Sequence, residues 1–144
     1  MSKGNTFEND LLKLTFNGTA IVNLADNAAG SPLTDLYLSL HTADPGEAGD
    51  QTTNEAAYTG YARVAVARSA GGWTVSTNTV TNAGVITFGE KTAGGDITVT
   101  HFAVGTASSA AGKVLYSGAL TASLLISNGV IPQFAAGDLD GSED

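Results

Sequence analysis

The 144-residue chain has no cysteine, which excludes disulfides and thiolate chemistry, whether nucleophilic or metal-binding. Cations are scarce: six Lys and Arg stand against fourteen Asp and Glu, for a formal charge of −8. A nucleic-acid backbone or an anionic membrane is gripped by clustered cations, so neither is an expected partner. No stretch approaches the ~18 consecutive apolar residues of a membrane-spanning helix. Met1-Ser2-Lys3-Gly4-Asn5 has no apolar run after its lysine and is not expected to act as a secretory signal. No Gly-x-Ser-x-Gly elbow and no Gly-x-x-x-x-Gly-Lys phosphate loop occurs, so no catalytic residue and no cofactor is expected. His41 and His101 are the only histidines, and each falls in a strand-like run with no cysteine to complete a metal site. Asp44, Glu47 and Asp50 share a glycine-containing loop, but their spacing matches no calcium cage and a solvated loop is expected.

What the chain has is glycine, small residues and patterned apolar positions. Only 14% of residues are charged while 42% are apolar, a balance that suits an all-β structural domain and not a disordered chain. The organising stretch is Tyr58 to Arg68, where Ala62, Val64 and Val66 share one face and Tyr61, Arg63, Ala65 and Ala67 the other, the period-2 pattern of a strand. Gly71-Gly72 and the single tryptophan, Trp73, follow at once, and a hairpin is expected there.

Ahead of it, Asn5 is placed to cap a helix, with Glu8 completing a capping box. Phe7, Leu11 and Leu14 recur at helical spacing and Asn17-Gly18 supplies a stop, so a helix is expected over Phe7 to Phe16, with a further turn between Ala20 and Ala25. From Leu36 the period becomes 2: Leu36, Leu38 and Leu40 oppose Tyr37, Ser39 and His41. A long polar loop follows around Pro45-Gly46. Later strands are expected at Val85–Phe88, Ile97–Val104, Lys113–Ser117, Leu124–Ile126 and Val130–Phe134. The apolar face switches near His101, which predicts a bulge or a strand buried on both sides, and Pro132 predicts an edge or a bulge. Trp73, Phe88 and Phe102 are expected in the core. The pattern reads as mainly β, a single β-sandwich or jelly-roll-like domain over 33–136, preceded by a helical segment (1–25) and followed by an exposed acidic tail (137–144). Phe7, Leu11 and Leu14, with Arg63 and Arg68, are the candidate protein-interface residues. The helix has two fates, packing on its own domain or reaching a neighbouring subunit.

Several segments also carry a resemblance. They are Lys3 to Leu12, Leu36-Tyr37-Leu38-Ser39-Leu40-His41-Thr42-Ala43-Asp44-Pro45-Gly46-Glu47, Tyr61 to Arg68, Gly72-Trp73, Ile86-Thr87-Phe88 and Val99 to Gly105. In this order they resemble a family of small tailed-bacteriophage virion proteins, often labelled tail fibre proteins. The resemblance covers nearly the whole chain; the Asp-rich ending departs from it. It implies a non-enzymatic structural protein, made in the host bacterial cytoplasm and carried on the phage particle surface. The absence of a heptad or long repeat favours a head decoration (cement) protein, bridging major capsid protein subunits and associating with copies of itself as a trimer. A tail fibre or tail-tip component, or a non-virion binding module, is the alternative.

Overall fold

A computed structural model describes residues 5–21 and 32–143. It is mainly β with one N-terminal helix, α1 (Asn5–Asn17), and its strands are β1 (Asp35–His41), β2 (Val64–Ala67), β3 (Trp73–Ser76), β4 (Thr79–Asn82), β5 (Ile86–Thr87), β6 (Ile97–Gly105), β7 (Val114–Ile126), β8 (Gln133–Phe134) and β9 (Asp140–Ser142). The strands make sheets of order β2-β1-β6-β7, β3-β4-β9 and β5-β8. Two compact units share the chain: one holds residues 1–35, 66–86 and 134–144, the other 36–65 and 87–133.

In the first unit, α1 ends where the sequence says it should. Gly18 takes φ +66° and the Thr19 N–H donates back to Lys13 O at 3.1 Å, closing the helix across the turn that a left-handed glycine permits. The helix buries Leu12 and Phe16, and the Phe16 ring meets Trp73 edge-on, 4.8 Å between centroids at 62°. Arg68 finishes the same helix from outside. Its Nε donates to Thr15 O at 2.6 Å and its Nη2 to Leu14 O, two carbonyls of a last turn that contains no basic residue of its own. The side chain of Phe7 and most of the turn expected at Ala20–Ala25 lie outside the described residues.

Asn82, almost fully buried, ties the end of the chain into this unit. Its Nδ2 donates to Gly84 O and Ala135 O, its Oδ1 accepts from Leu139 N, and its backbone O accepts from Gly137 N. Leu139 is buried and residues 140–142 form the third strand of the β3-β4-β9 sheet. The tail expected to lie exposed is therefore partly built into a sheet, with Asp138 and Asp140 left on the surface.

The expected hairpin across Gly71-Gly72 does not form: β2 pairs with β1, and β3 pairs with β4. Ser69 explains the difference, because its carbonyl accepts from both Gly72 N and Trp73 N, each at 3.0 Å, and so redirects the chain instead of folding it back. A Cβ at position 72 would stand 2.1 Å from Ala67 O, so glycine is required there by close backbone approach.

In the second unit β1 is buried on both faces. Leu36, Leu38 and Leu40 fill one face as the alternation predicts, and Ser39 and His41 on the other are equally enclosed. β6 pairs with β1 and β7, and the pairing with β7 shifts register between Val99 and His101, where Leu120 to Ser123 of β7 have only Thr100 opposite them. The irregularity expected at His101 is this bulge. It also joins the segments expected as separate strands, Lys113–Ser117 and Leu124–Ile126, into one interrupted strand. Gln51 is wholly buried: its Nε2 donates to Tyr37 O and its Oε1 accepts from Ala107 N. A Cβ at Gly105 or at Gly112 would stand 2.1–2.2 Å from the Gln51 side chain, so these two glycines make its room.

Candidate functional site

Within the second unit, residues 55–59, Tyr61 and residues 93–95 line an open cleft of about 580 Å³. The first of these segments is a continuation of the organising stretch seen in the sequence. Little of it is strand, because its side chains are used on one another. Arg63, with 3% of its side chain exposed, forms a two-point ion pair with Glu55: Nε to Oε1 and Nη2 to Oε2, both 2.7 Å. The remaining Arg63 amine donates to Ala107 O at 2.9 Å. Tyr61 donates its hydroxyl to Glu55 Oε1 at 2.9 Å and accepts from Leu40 N at 3.1 Å. Burial pushes the Tyr61 phenol far up from its ordinary value, so it stays a neutral donor. Its ring lies parallel to Phe88 and edge-on to Tyr58, whose own hydroxyl donates to Gly89 O.

Residues 93–95 are held from behind by Lys91, which is wholly buried. Its Nζ donates to Ala93 O at 2.9 Å, Gly94 O at 2.7 Å and Asn128 Oδ1 at 2.5 Å, so all three ammonium protons are placed. The segment is also bridged to the first one through Thr92 N and Thr59 O. A buried lysine is costly unless saturated in this way. We expect Lys91→Met to raise exchange of the Thr92 amide, which donates to Thr59 O, by an order of magnitude or more while β1 and β6 keep their protection. Unchanged exchange would mean that the loop holds itself.

His41 sits at the end of β1, opposite His101 of β6. Its Nδ1 donates to Thr53 O at 2.9 Å, which leaves Nε2 to accept from Ser39 Oγ at 2.8 Å. Enclosure lowers its pKa from 6.5, against the opposing pull of Thr53 O and the Glu55 charge. Because the folded value lies below the unfolded one, the unfolded chain takes up the proton first. Stability is then full above about pH 6.5 and falls as the pH drops from there towards the folded value. Melting temperatures of the wild type and His41→Gln, compared between neutral and mildly acid pH, should show this dependence shrinking in the variant.

The candidate residues from the sequence are thus dispersed. Arg63 lies behind the cleft, on Glu55, and Arg68 at the end of α1, and both spend their guanidinium groups on partners within the chain. Leu11 and Leu14 are partly exposed on α1. Trp73 and Phe88 are core, as expected, and Phe102 is half-buried. Asp44 Oδ1 accepts from Gly46 N, and Asp50 Oδ1 accepts from Thr52 N and Thr52 Oγ1. Among the described residues no group of three carboxylates or histidines is arranged to hold a metal ion, in that loop or elsewhere. No described helix is long and apolar enough to cross a membrane. Glu55, Tyr58 and Lys91 were missed by sequence reasoning. The only signal was Glu55 lying within reach of the Tyr61/Arg63 pair, and it is meaningful only once the chain is seen to turn there.

Residues 2–142 match the family described as podophage GP4 fiber I protein gp80. No curated protein matches the chain. The match spans almost all of the sequence, and the chain belongs to that family: it is a structural protein of the phage virion, of a fibre-labelled kind.

Proposed function

We propose that this family member is a non-catalytic component of the podophage fibre apparatus, that it works by binding alone, and that it joins copies of itself through the outer edge of β7. One observation carries the self-association. β7 is an edge of its four-stranded sheet, it runs for thirteen residues, and Val114-Leu115-Tyr116-Ser117-Gly118-Ala119-Leu120-Thr121-Ala122-Ser123-Leu124-Leu125-Ile126 contains no charge and no proline. Soluble proteins normally protect an edge strand with lysine, proline or a covering element, because an edge can template another strand. Exposed Ser117, Ala119, Ala122 and Ser123 are small enough for close approach. A head-to-tail contact made by this edge on a different surface of the next copy closes into a ring when the rotation between copies allows it, and a trimer is the smallest such ring.

Lysines at Ser117 and Ala119 should leave the fold intact and shift the purified protein from trimer to monomer in sedimentation or light scattering. A wild type that is already monomeric at particle-like concentration, or a variant that remains trimeric, removes the edge from the account.

A second location has its own support. The sequence has no repeat or heptad, unlike a fibre shaft, which favours a decoration protein bridging major capsid protein subunits. Anything that binds only the assembled shell stabilises it by mass action. Reconstruction of the particle, with the copy number measured in purified virions, separates the two. Tens of copies at the tail support the fibre location, and hundreds over the head support decoration. A phage lacking the protein whose head survives heat unchanged argues for the fibre; a head that fails earlier argues for decoration.

A further inference from the structure

The cleft lined by residues 55–59, Tyr61 and residues 93–95 is built more firmly than a surface depression needs to be. Two cations hold its lining: Arg63 fixes Glu55, and through it the Tyr61 hydroxyl, while Lys91 fixes the carbonyls of Ala93 and Gly94. Neither Arg63 nor Lys91 lines the cleft itself. Holding the groups of a site in place before a ligand arrives lowers the ordering cost of binding.

What those groups offer can be read from their remaining valences. The described peptide bonds are trans, so a carbonyl turned towards Lys91 turns the N–H of the next residue away from it. The Gly94 and Gly95 N–H groups therefore point away from Lys91, in the segment that lines the cleft, and neither has an acceptor among the described residues. Gly94 has φ +93°, and a Cβ at either glycine would meet nothing within 4 Å, so the segment is open at both Cα atoms. Across the cleft, Glu55 accepts three of the roughly four hydrogen bonds a carboxylate can take, leaving one acceptor site. Its charge is neutralised by Arg63. Tyr58 adds a half-buried aromatic ring. Two neutral donors, one spare acceptor and an aromatic face, with no unbalanced charge presented to the ligand, suit a molecule of alternating hydroxyls and C–H faces.

We propose that this cleft binds one unit of a neutral sugar, its hydroxyls accepting from Gly94 and Gly95 N–H and donating to Glu55, and its C–H face resting on Tyr58. A cavity of this size holds a ligand of that class. The site is independent of where on the particle the protein sits and of how its copies associate.

The test is a titration of the full-length protein with the methyl glycosides of glucose, galactose, mannose and rhamnose, followed by amide nuclear magnetic resonance. Concentrations should reach roughly 10 mM, since few contacts give a Kd near millimolar. At least one glycoside should shift the Gly94 and Gly95 amides saturably. Gly95→Phe, which places a ring in open space, should keep the rest of the spectrum and abolish that shift; Tyr58→Ala should weaken binding about tenfold or more. The proposal is overturned if none of the four sugars moves these amides saturably, if Gly95→Phe leaves the response intact, or if shifts scatter over the surface. It is equally overturned if choline, run alongside as a cationic probe, saturates the site and the sugars do not.

Discussion

Removing residues 1–25 should leave a protein that is insoluble or has lost the cooperative unfolding of its first unit. Leu12 and Phe16 are buried to 0% and 1% exposure, and Phe16 abuts Trp73. Burying each such side chain contributes about 1.5–3 kcal/mol, and leaving a cavity in their place adds to the loss. Arg68, half-buried, would lose Leu14 O and Thr15 O together and keep only Leu33 O. Of the two fates open to the helix, packing within its own unit is the one this geometry favours. A gentler version, Phe16→Ala, should cost about 3–5 kcal/mol in a denaturant titration. A truncated protein that stays folded but no longer binds the particle would return the helix to the role of a docking arm.

Arg63→Met should be the most damaging single change in the second unit, at about 3–5 kcal/mol, because it leaves the Glu55 carboxylate enclosed and without its cation. Glu55 is 17% exposed, enough to keep some hydration and so to place the loss towards the lower end of that range. The double variant Glu55→Gln, Arg63→Met should be more stable than Arg63→Met alone, since the neutral amide can still accept from Tyr61 and no charge is stranded. Unfolding midpoints of the wild type, Glu55→Gln, Arg63→Met and the double variant decide it. Strictly additive losses would show that the pair is not coupled and that Arg63 matters only for the volume it fills.

These two predictions draw on residues of different legibility. The helix could be read because its signals are local: apolar residues at i, i+4 and i+7, then a glycine in the place that only a left-handed residue fills easily. β1 could be read for the same reason, although only half of its burial was expected. Ser39 and His41 look like a solvent face in the sequence and are buried because they satisfy one another and Thr53 O. The cleft could not be read. Lys91 meets Asn128 across 37 residues, Arg63 meets Ala107 across 44, and Gln51 occupies the space left by Gly105 and Gly112. No periodicity carries a pairing between single polar residues that far apart. The missed turn at Gly72 has a similar origin: a Gly-Gly pair signals that the chain bends, and the carbonyl of Ser69 determines in which direction.

The first unit is also assembled from pieces that are far apart in time. Helix α1 leaves the ribosome long before Trp73, and Leu139 and β9, which complete the β3-β4-β9 sheet, follow only after the strands of the other unit have been made. At about 5–20 residues per second, the wait from Leu12 to Leu139 is on the order of ten seconds. Throughout it Leu12 and Phe16 have no finished core to enter, while residues 36–133 already hold what the second unit needs. The nascent chain should therefore be held by a chaperone at its N-terminal helix. Starving the host of that chaperone should reduce the yield of folded protein far more than it slows synthesis.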